Sequence, residues 1–379
     1  MALPSSGPLT LSDIQTEFGG SNPISLSEYY AGGSYVAAGT SGTNGAVPSS
    51  GTIAISNFYG TQAGVPGKDW NASWGLRSTA WGTSATVFAS NWNGSQFLVV
   101  GSNAKAATSP DGVTWTYQGG LASAWGTSIT ATSIAWDGSQ YVAVGSGGRA
   151  ATSPDGITWT DRAGLRGTSF STAGAYSVTW NGSQFLVVGL ASRGATSPDG
   201  VNWTYQGGLA SAVGSTYVTW YASNWNGSQY VVIGSSGKCV TSPDGVTWTN
   251  RSLSSAVGTA TMLGITWSGS LYVVTGTSGR VATSTNGVNW TNISQTSSMG
   301  GWGSSATGYG VAWNGTYFVA VGNNARSIYS TTAANGSWAY TIGPTSLSNN
   351  TVGRQMQAIT WNGTKFLASG ASGYQATSL

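Results

Sequence analysis

The sequence predicts an all-β fold: a seven-bladed β-propeller whose last blade is completed by an N-terminal strand (a 3+1 clasp), preceded by a small, mostly irregular N-terminal module. Three observations predict it. A Trp-centred segment recurs seven times along the 379 residues. Each recurrence carries the turn residues for four short strands. The last recurrence is cut short, and the piece it lacks stands ahead of the first.

The segment reads NWNGSQFLVVG, AWDGSQYVAVG, TWNGSQFLVVG, NWNGSQYVVIG, TWSGSLYVVTG, AWNGTYFVAVG and TWNGTKFLASG, which places Trp92, Trp136, Trp180, Trp225, Trp267, Trp313 and Trp361. The gaps between them are 44, 44, 45, 42, 46 and 48 residues. A second Trp follows each of the first six, at Trp115, Trp159, Trp203, Trp248, Trp290 and Trp338, offset by 23 five times and then by 25. Within one repeat, a first strand ends at the Trp and an Asn-Gly, Asp-Gly or Ser-Gly pair makes a tight hairpin, because both positions tolerate positive φ. An alternating apolar strand follows, as in Gln140-Tyr141-Val142-Ala143-Val144. A Gly/Ser turn leads to a third strand such as 149–152, and Pro154-Asp155-Gly156 turns into a fourth over 157–160. Four strands in about 44 residues is the size of one propeller blade.

The chain ends argue for a closed ring. The seventh repeat would place its second Trp at 361 + 23 = 384, yet the chain stops at Leu379. Trp70 lies 45 residues before Trp115, and Leu76 follows it by six, as Leu121, Leu165 and Leu209 follow their own Trp. The segment near 67–76 is therefore expected to supply the fourth strand of blade seven, which removes the ring's last open edge. The propeller is assigned to 61–379 and the N-terminal module to 1–60.

Composition narrows the chemistry. Charged residues are 6% of the chain, against roughly 25% in ordinary soluble domains, and the net charge is 13 − 10 = +3, too weak to argue for nucleic acid. There is no His and one Cys, Cys239, so His-based triads, His-ligated zinc and a disulfide framework are all excluded. Cys239 is expected to be a buried, inert thiol. No apolar run is long enough for a membrane helix, and the N-terminus lacks the pattern of a secretory signal. From residue 61 onward there is no Glu; the acids are Asp69, Asp111, Asp137, Asp155, Asp161, Asp199 and Asp244. Asp111, Asp155, Asp199 and Asp244 are the SPDG turn residues, with a structural role, and nearly every other acid has a turn explanation too. A glycosidase carboxylate pair is not apparent, and one carboxylate per turn does not make a calcium site. No catalytic residue, metal or cofactor is expected.

The first sixty residues differ from the rest. They hold Asp13, Glu17 and Glu28, no Lys, Arg or Trp, and a loose duplication in which 4–14 parallels 48–58. Ser12 with Gln15 predicts a capped helix ending at Phe18 before Gly19-Gly20, and a second helical turn is expected at 27–30.

Two resemblances accompany these readings. The SPDGxTW turns resemble the BNR/Asp-box propellers, whose loop reads Ser-x-Asp-x-Gly-x-x-Trp. Here Asp and Gly are adjacent, Asn286 replaces Asp in blade five, and blade six has Ala333-Ala334-Asn335-Gly336. In that family the motif is itself structural. The stretch LPSSGPLTLSDIQTEFGGSNPISLSEYYAGG, with AVPSSGTIAISNFYG, resembles the N-terminal module of tailed-bacteriophage tail and tail-fibre proteins. That resemblance implies a virion tail protein assembled in the host cytoplasm, attached to other tail proteins through 1–60, with a distal domain meeting a cell-surface receptor such as a glycan. A purely structural tail or baseplate role, or a glycan-degrading enzyme, are the alternatives. Neither nucleic-acid binding nor membrane insertion is expected.

Candidate binding residues fall on one face. Lys105, Arg149, Arg193, Lys238, Arg280 and Arg326 open the third strand of blades one to six, and Tyr374 takes the place in blade seven. Strand alternation puts them with the long loops that join fourth strands to the next first strands, opposite the uniform NGSQ and SPDG turns. Each cation either caps or pairs with groups of the propeller itself, or contributes to a cationic ring for an anionic ligand. Trp81, Trp125, Phe170 and Trp302 lie in the same loops, either as platforms for sugar rings or as anchors wedged between blades.

Overall fold

The computed structural model describes residues 3, 8–18, 25–30, 36, 41–42, 45–59, 70–73, 85–168, 170–293, 305–324, 326–334, 336–342 and 355–378. They form two compact units, Met1–Asp69 with Leu379, and Trp70–Ser378. The larger is a seven-bladed β-propeller: seven four-stranded antiparallel sheets, each a simple meander.

Blade one runs Val87–Trp92, Phe97–Gly101, Ala106–Ser109 and Thr116–Gln118. The next five repeat this order. Blade seven takes Met356–Trp361, Phe366–Gly370 and Gln375–Ser378 from the C-terminus and Trp70–Ser73 as its outermost strand. Trp70 pairs with Ser378, Asn71 with Thr377, Ala72 with Ala376 and Ser73 with Gln375. Each first strand packs on those of its two neighbours, and that of blade seven packs on blade one. There Thr360 Oγ1 donates to the Ser90 carbonyl at 2.9 Å, a bond between residues 270 apart in sequence.

The second strands are buried along their whole length in every blade, as in Phe97–Gly101 and Tyr230–Gly234. A sheet sandwiched between two others has no solvated face, so these strands are almost wholly apolar instead of alternating with polar residues, Thr275 and Ser369 being the buried polar exceptions. At each hairpin the Trp ending strand one leans on the aromatic opening strand two: Trp92 on Phe97 at 4.7 Å and Trp267 on Tyr272 at 4.3 Å between centroids. Such pairs contribute about 0.5–1.5 kcal/mol beyond their buried area.

A further tie between blades is set by the hairpin glutamines. Gln96 Nε2 donates to the Asp155 carbonyl of the next blade's SPDG turn at 2.8 Å, and Gln140, Gln184 and Gln229 repeat this to Asp199, Asp244 and Asn286. Leu271, Tyr317 and Lys365 hold the position in blades five to seven.

One expectation is corrected. The fourth strands start after the second Trp, at Thr160–Asp161 in blade two, not at 157. The Ile157 and Thr158 N–H groups donate to the Asp155 carboxylate and keep 155–158 in the turn. In the loops after the fourth strands, Gly120–Trp125, Gly208–Val213 and Ser254–Val257 are short helices.

In the N-terminal unit the expected helix is present over Leu11–Phe18, but its cap lies two residues earlier. Thr10 N donates to Asp13 Oδ2 at 2.8 Å and Asp13 N donates to Thr10 Oγ1 at 3.2 Å, a reciprocal box. Its copy in the duplication keeps half of it, Ala54 N donating to Asn57 Oδ1 at 2.7 Å. Ile14 and Phe58, which match in the duplication, are both fully buried with Tyr29 and Val36 in one apolar cluster. The second helical turn is Leu26–Glu28.

The clasp register gives a direct test. Ala72→Cys combined with Ala376→Cys puts thiols on opposed residues, while Cys239 is fully buried and does not compete. Mild oxidation should cross-link the pair and raise Tm by several degrees, since long closed loops are worth about 4–5 kcal/mol on the chain-entropy account. A chain that stays uncross-linked on a non-reducing gel contradicts the pairing.

Candidate functional site

The SPDG turns are built from inside. Ser109 Oγ donates to Asp111 Oδ1 at 2.9 Å and accepts the Gly112 N–H at 2.8 Å. Asp111 Oδ1 also accepts the N–H groups of Val113 and Thr114, at 2.8 and 2.7 Å. Trp115 Nε1 donates to the Gly112 carbonyl at 3.1 Å. Gly112 is needed twice over: its φ is +74°, and a Cβ there would come within 2.9 Å of Thr377 in the neighbouring blade. Asp155, Asp199 and Asp244 repeat the pattern. Asn286 does so with slightly longer bonds, 2.9 and 3.0 Å. In blade six, which lacks the acid, Ser330 Oγ still accepts the Ala333 N–H at 2.9 Å.

Partial burial alone would raise these carboxyls. The two backbone N–H donors and the serine outweigh it, holding Asp111 and Asp199 down at about 2 and Asp155 and Asp244 below the usual carboxylate range. The same balance lowers Asp137, whose Oδ1 accepts Ser139 and Gln140 N–H. Burial lifts the Cys239 thiol to about 12, which keeps it unreactive.

The predicted cations are all half-buried, and Arg149 and Arg193 are among those that serve the propeller itself. Arg149 and Arg166 both bind Asp161 Oδ2, at 2.9 and 2.7 Å. Arg193 Nη1 donates to the Phe170 carbonyl at 3.2 Å, which sets the cations on the face of the inter-blade loops. Lys238 and Arg280 make no side-chain hydrogen bond or ion pair among the described residues. Tyr374 is buried, 6% exposed. Of the two alternatives for the loop aromatics, Trp125 and Phe170 are anchors: Trp125 is 4% exposed with Nε1 donating to the Ala150 carbonyl at 3.3 Å, and Phe170 is fully buried. Both close an apolar seam between adjacent blades. Trp81 and Trp302 lie outside the described residues.

Sequence reasoning missed the axis. In all seven blades the register of the first strand shifts once, skipping one residue four places before its Trp, as between Val87 and Ala89 or Ala175 and Ser177. The skipped residues are Phe88, Thr132, Tyr176, Tyr221, Leu263, Tyr309 and Gln357. A bulge leaves its extra residue unpaired and re-aims its side chain. Phe88, Thr132, Tyr176 and Tyr221 line an axial channel of about 220 Å³. The column one residue later is uniformly small, including Ala89, Ser133, Gly264, Gly310 and Ala358, because seven strands converge there. A Cβ at Gly264 would lie 2.8 Å from Thr275 Oγ1 and 2.9 Å from the Tyr309 carbonyl.

With that geometry in place, known proteins can be compared. No protein-family profile and no curated protein matches the chain. Solved structures do. YCF48 from Cyanidioschyzon merolae is 15% identical over 82% of this chain and 98% of its own, with a TM-score of 0.59. YCF48 bound to D1 peptide is 14% identical over 82% of this chain and 94% of its own, TM-score 0.61. The WD40 β-propeller domain of Doa1 is 8% identical over 82% and 97%, TM-score 0.56. What is shared is the fold. At these identities the likeness carries no activity or ligand.

The turn chemistry predicts a specific pH response. An unfolded Asp titrates near 4 and Asp111 and Asp199 at about 2 when folded. Their stabilisation is complete above about pH 4 and is lost as pH falls through about 2. Asp111→Asn should keep the turn, as Asn286 does, and flatten part of that acid limb. Asp111→Ala should cost about 1–2 kcal/mol at pH 7. Urea melts across pH 2–7 measure both.

Proposed function

We propose that this chain is a tailed-phage tail protein that recognises a host-surface receptor through the loop face of its propeller, without catalysis. The observation that carries the reading is the inequality of the two faces. One face is built from near-identical turns, with glutamine bonds from hairpin to turn across four successive blade boundaries. The other carries loops of differing length, the cations Lys238 and Arg280, and Tyr217, which is 91% exposed. A surface whose residues vary on a fixed frame is suited to recognition.

The carboxylates favour binding over hydrolysis. A general acid needs a raised pKa, and here the turn acids are lowered by bonds to their own backbone. Attachment to the virion is assigned to 1–60, on the strength of its likeness to tail-protein N-termini and its own apolar cluster. The peptide-bound neighbour supports a second reading, a tail component whose partner is another virion protein.

Competition separates the two. Purified full-length chain, pre-incubated with host cells, should slow adsorption of the phage particles that carry it at micromolar concentration. Immunogold labelling should place it at the distal tail. Unchanged adsorption together with a label enclosed in the particle would favour the structural role.

A further inference from the structure

The channel described above is lopsided, and its asymmetry points to a ligand. On one side stand the bulge residues Phe88, Tyr176 and Tyr221; on the other lie Gly264, Gly310 and Ala358, with the aliphatic Ile265, Val311 and Ile359 next to them and no aromatic residue among the described lining on that side. The Tyr176 and Tyr221 rings are 5.4 Å apart between centroids and tilted by 40°, a splayed pair and not a closed cage. The space opposite them is kept open by backbone crowding at Gly264.

The polar groups divide into two kinds. The serine and threonine hydroxyls are already spent on stitching first strands together: Ser177 Oγ with Ser223 Oγ at 2.9 Å, Ser90 Oγ with Thr360 Oγ1 at 2.6 Å, and Thr132 Oγ1 to the Ala175 carbonyl at 2.5 Å. The phenol hydroxyls of Tyr176 and Tyr221 have no hydrogen-bond partner among the described residues. Among the described residues no charged one lines the channel.

We propose that this aromatic wall is a binding site for one uncharged sugar ring. The apolar face of a pyranose stacks on the Tyr176–Tyr221 pair, and its hydroxyls take up the two phenol groups. The volume, about 220 Å³, lies below the roughly 300 Å³ at which pockets begin to enclose drug-sized ligands, so a single ring fits and a chain segment does not. An anion finds no cation here. A quaternary ammonium prefers faces arranged around it. An aromatic peptide side chain leaves the phenols unused. Burial raises the Tyr176 phenol above its usual range, with the neighbouring Tyr221 adding to the effect, so at neutral pH it is a donor.

The inference deepens the recognition reading and rests on it for its biological meaning; the experiment keeps the two apart. Full-length chain is titrated with methyl glycosides of glucose, galactose, mannose and N-acetylglucosamine, with choline and N-acetyltyrosinamide as competitors, and followed by saturation-transfer NMR. At least one glycoside should bind in the millimolar range. Tyr176→Ala and Tyr221→Ala should each weaken it tenfold or more, the corresponding Phe variants about threefold, and Tyr205→Ala, on an outermost strand, not at all. The Phe variants keep the ring and its packing, so they hold the proposal testable if an Ala variant melts early. No glycoside binding, binding that survives both Ala substitutions, or preference for choline or the tyrosine amide overturns it. In the adsorption assay, a chain that competes while Tyr221→Ala competes equally well leaves recognition standing and removes the channel site. Tyr-dependent glycoside binding without competition supports the site and removes the recognition reading.

Discussion

The pairing of Trp70–Ser73 with Gln375–Ser378 sets the conditions for everything else in the larger unit. Each second strand is buried on both faces, so each blade is stable only between two neighbours. An open row of blades would leave two such faces in water, and a three-stranded last blade would add a row of unpaired backbone groups at its edge. Pairing the two distant stretches inside one sheet gives blade seven the same four strands as its neighbours and holds its two parts together. The bond from Thr360 to Ser90 then follows, because it needs blades seven and one to be adjacent.

Closure forces a division of labour along each repeat. Near the axis the strands converge, which dictates Ala, Ser or Gly in one column and a bulge beside it. At the turn face the SPDG loop satisfies its own N–H groups and presents a carbonyl to the preceding blade's glutamine. In the seams between blades, large residues such as Trp125 and Phe170 fill the wedge that flat sheets leave as they splay outward. The positions that remain free of these duties are few, and they lie in the inter-blade loops and at the bulge.

Much of this was legible from spacing. The Trp intervals, the glycine turns and the truncated seventh repeat are one-dimensional signals, and they determine blade count and closure without any knowledge of side-chain direction. Direction is where legibility ended. Trp125 in a variable loop reads equally as a platform or as an anchor, and only burial against the neighbouring blade decides. The Thr10–Asp13 cap was obscured by an equally plausible Ser12–Gln15 pair. The aromatic wall was hidden for a sharper reason: alternation assigns Tyr176 to the same side as Trp180, four residues on, and one bulge breaks that parity. A signal existed, since the column four before the Trp holds Phe, Thr, Tyr, Tyr, Leu, Tyr and Gln within an otherwise uniform segment.

The scarcity of charge has a related logic. Among the described acids of the propeller, Asp111, Asp155, Asp199 and Asp244 serve as ligands for backbone N–H groups, Asp137 does so in a hairpin, and Asp161 holds two arginines. Each carboxylate therefore carries a fixed structural bond, and replacing it would cost the turn that it closes. A surface that must change its specificity cannot vary such residues freely. It can more readily vary a residue displaced by a bulge, because the backbone bonds on either side are already made, although Thr132 uses its hydroxyl to bond the Ala175 carbonyl of the next blade. On the proposed reading, recognition by uncharged aromatic and hydroxyl groups at the axis uses positions that this framework leaves open, four of the seven bulge residues lining the channel there.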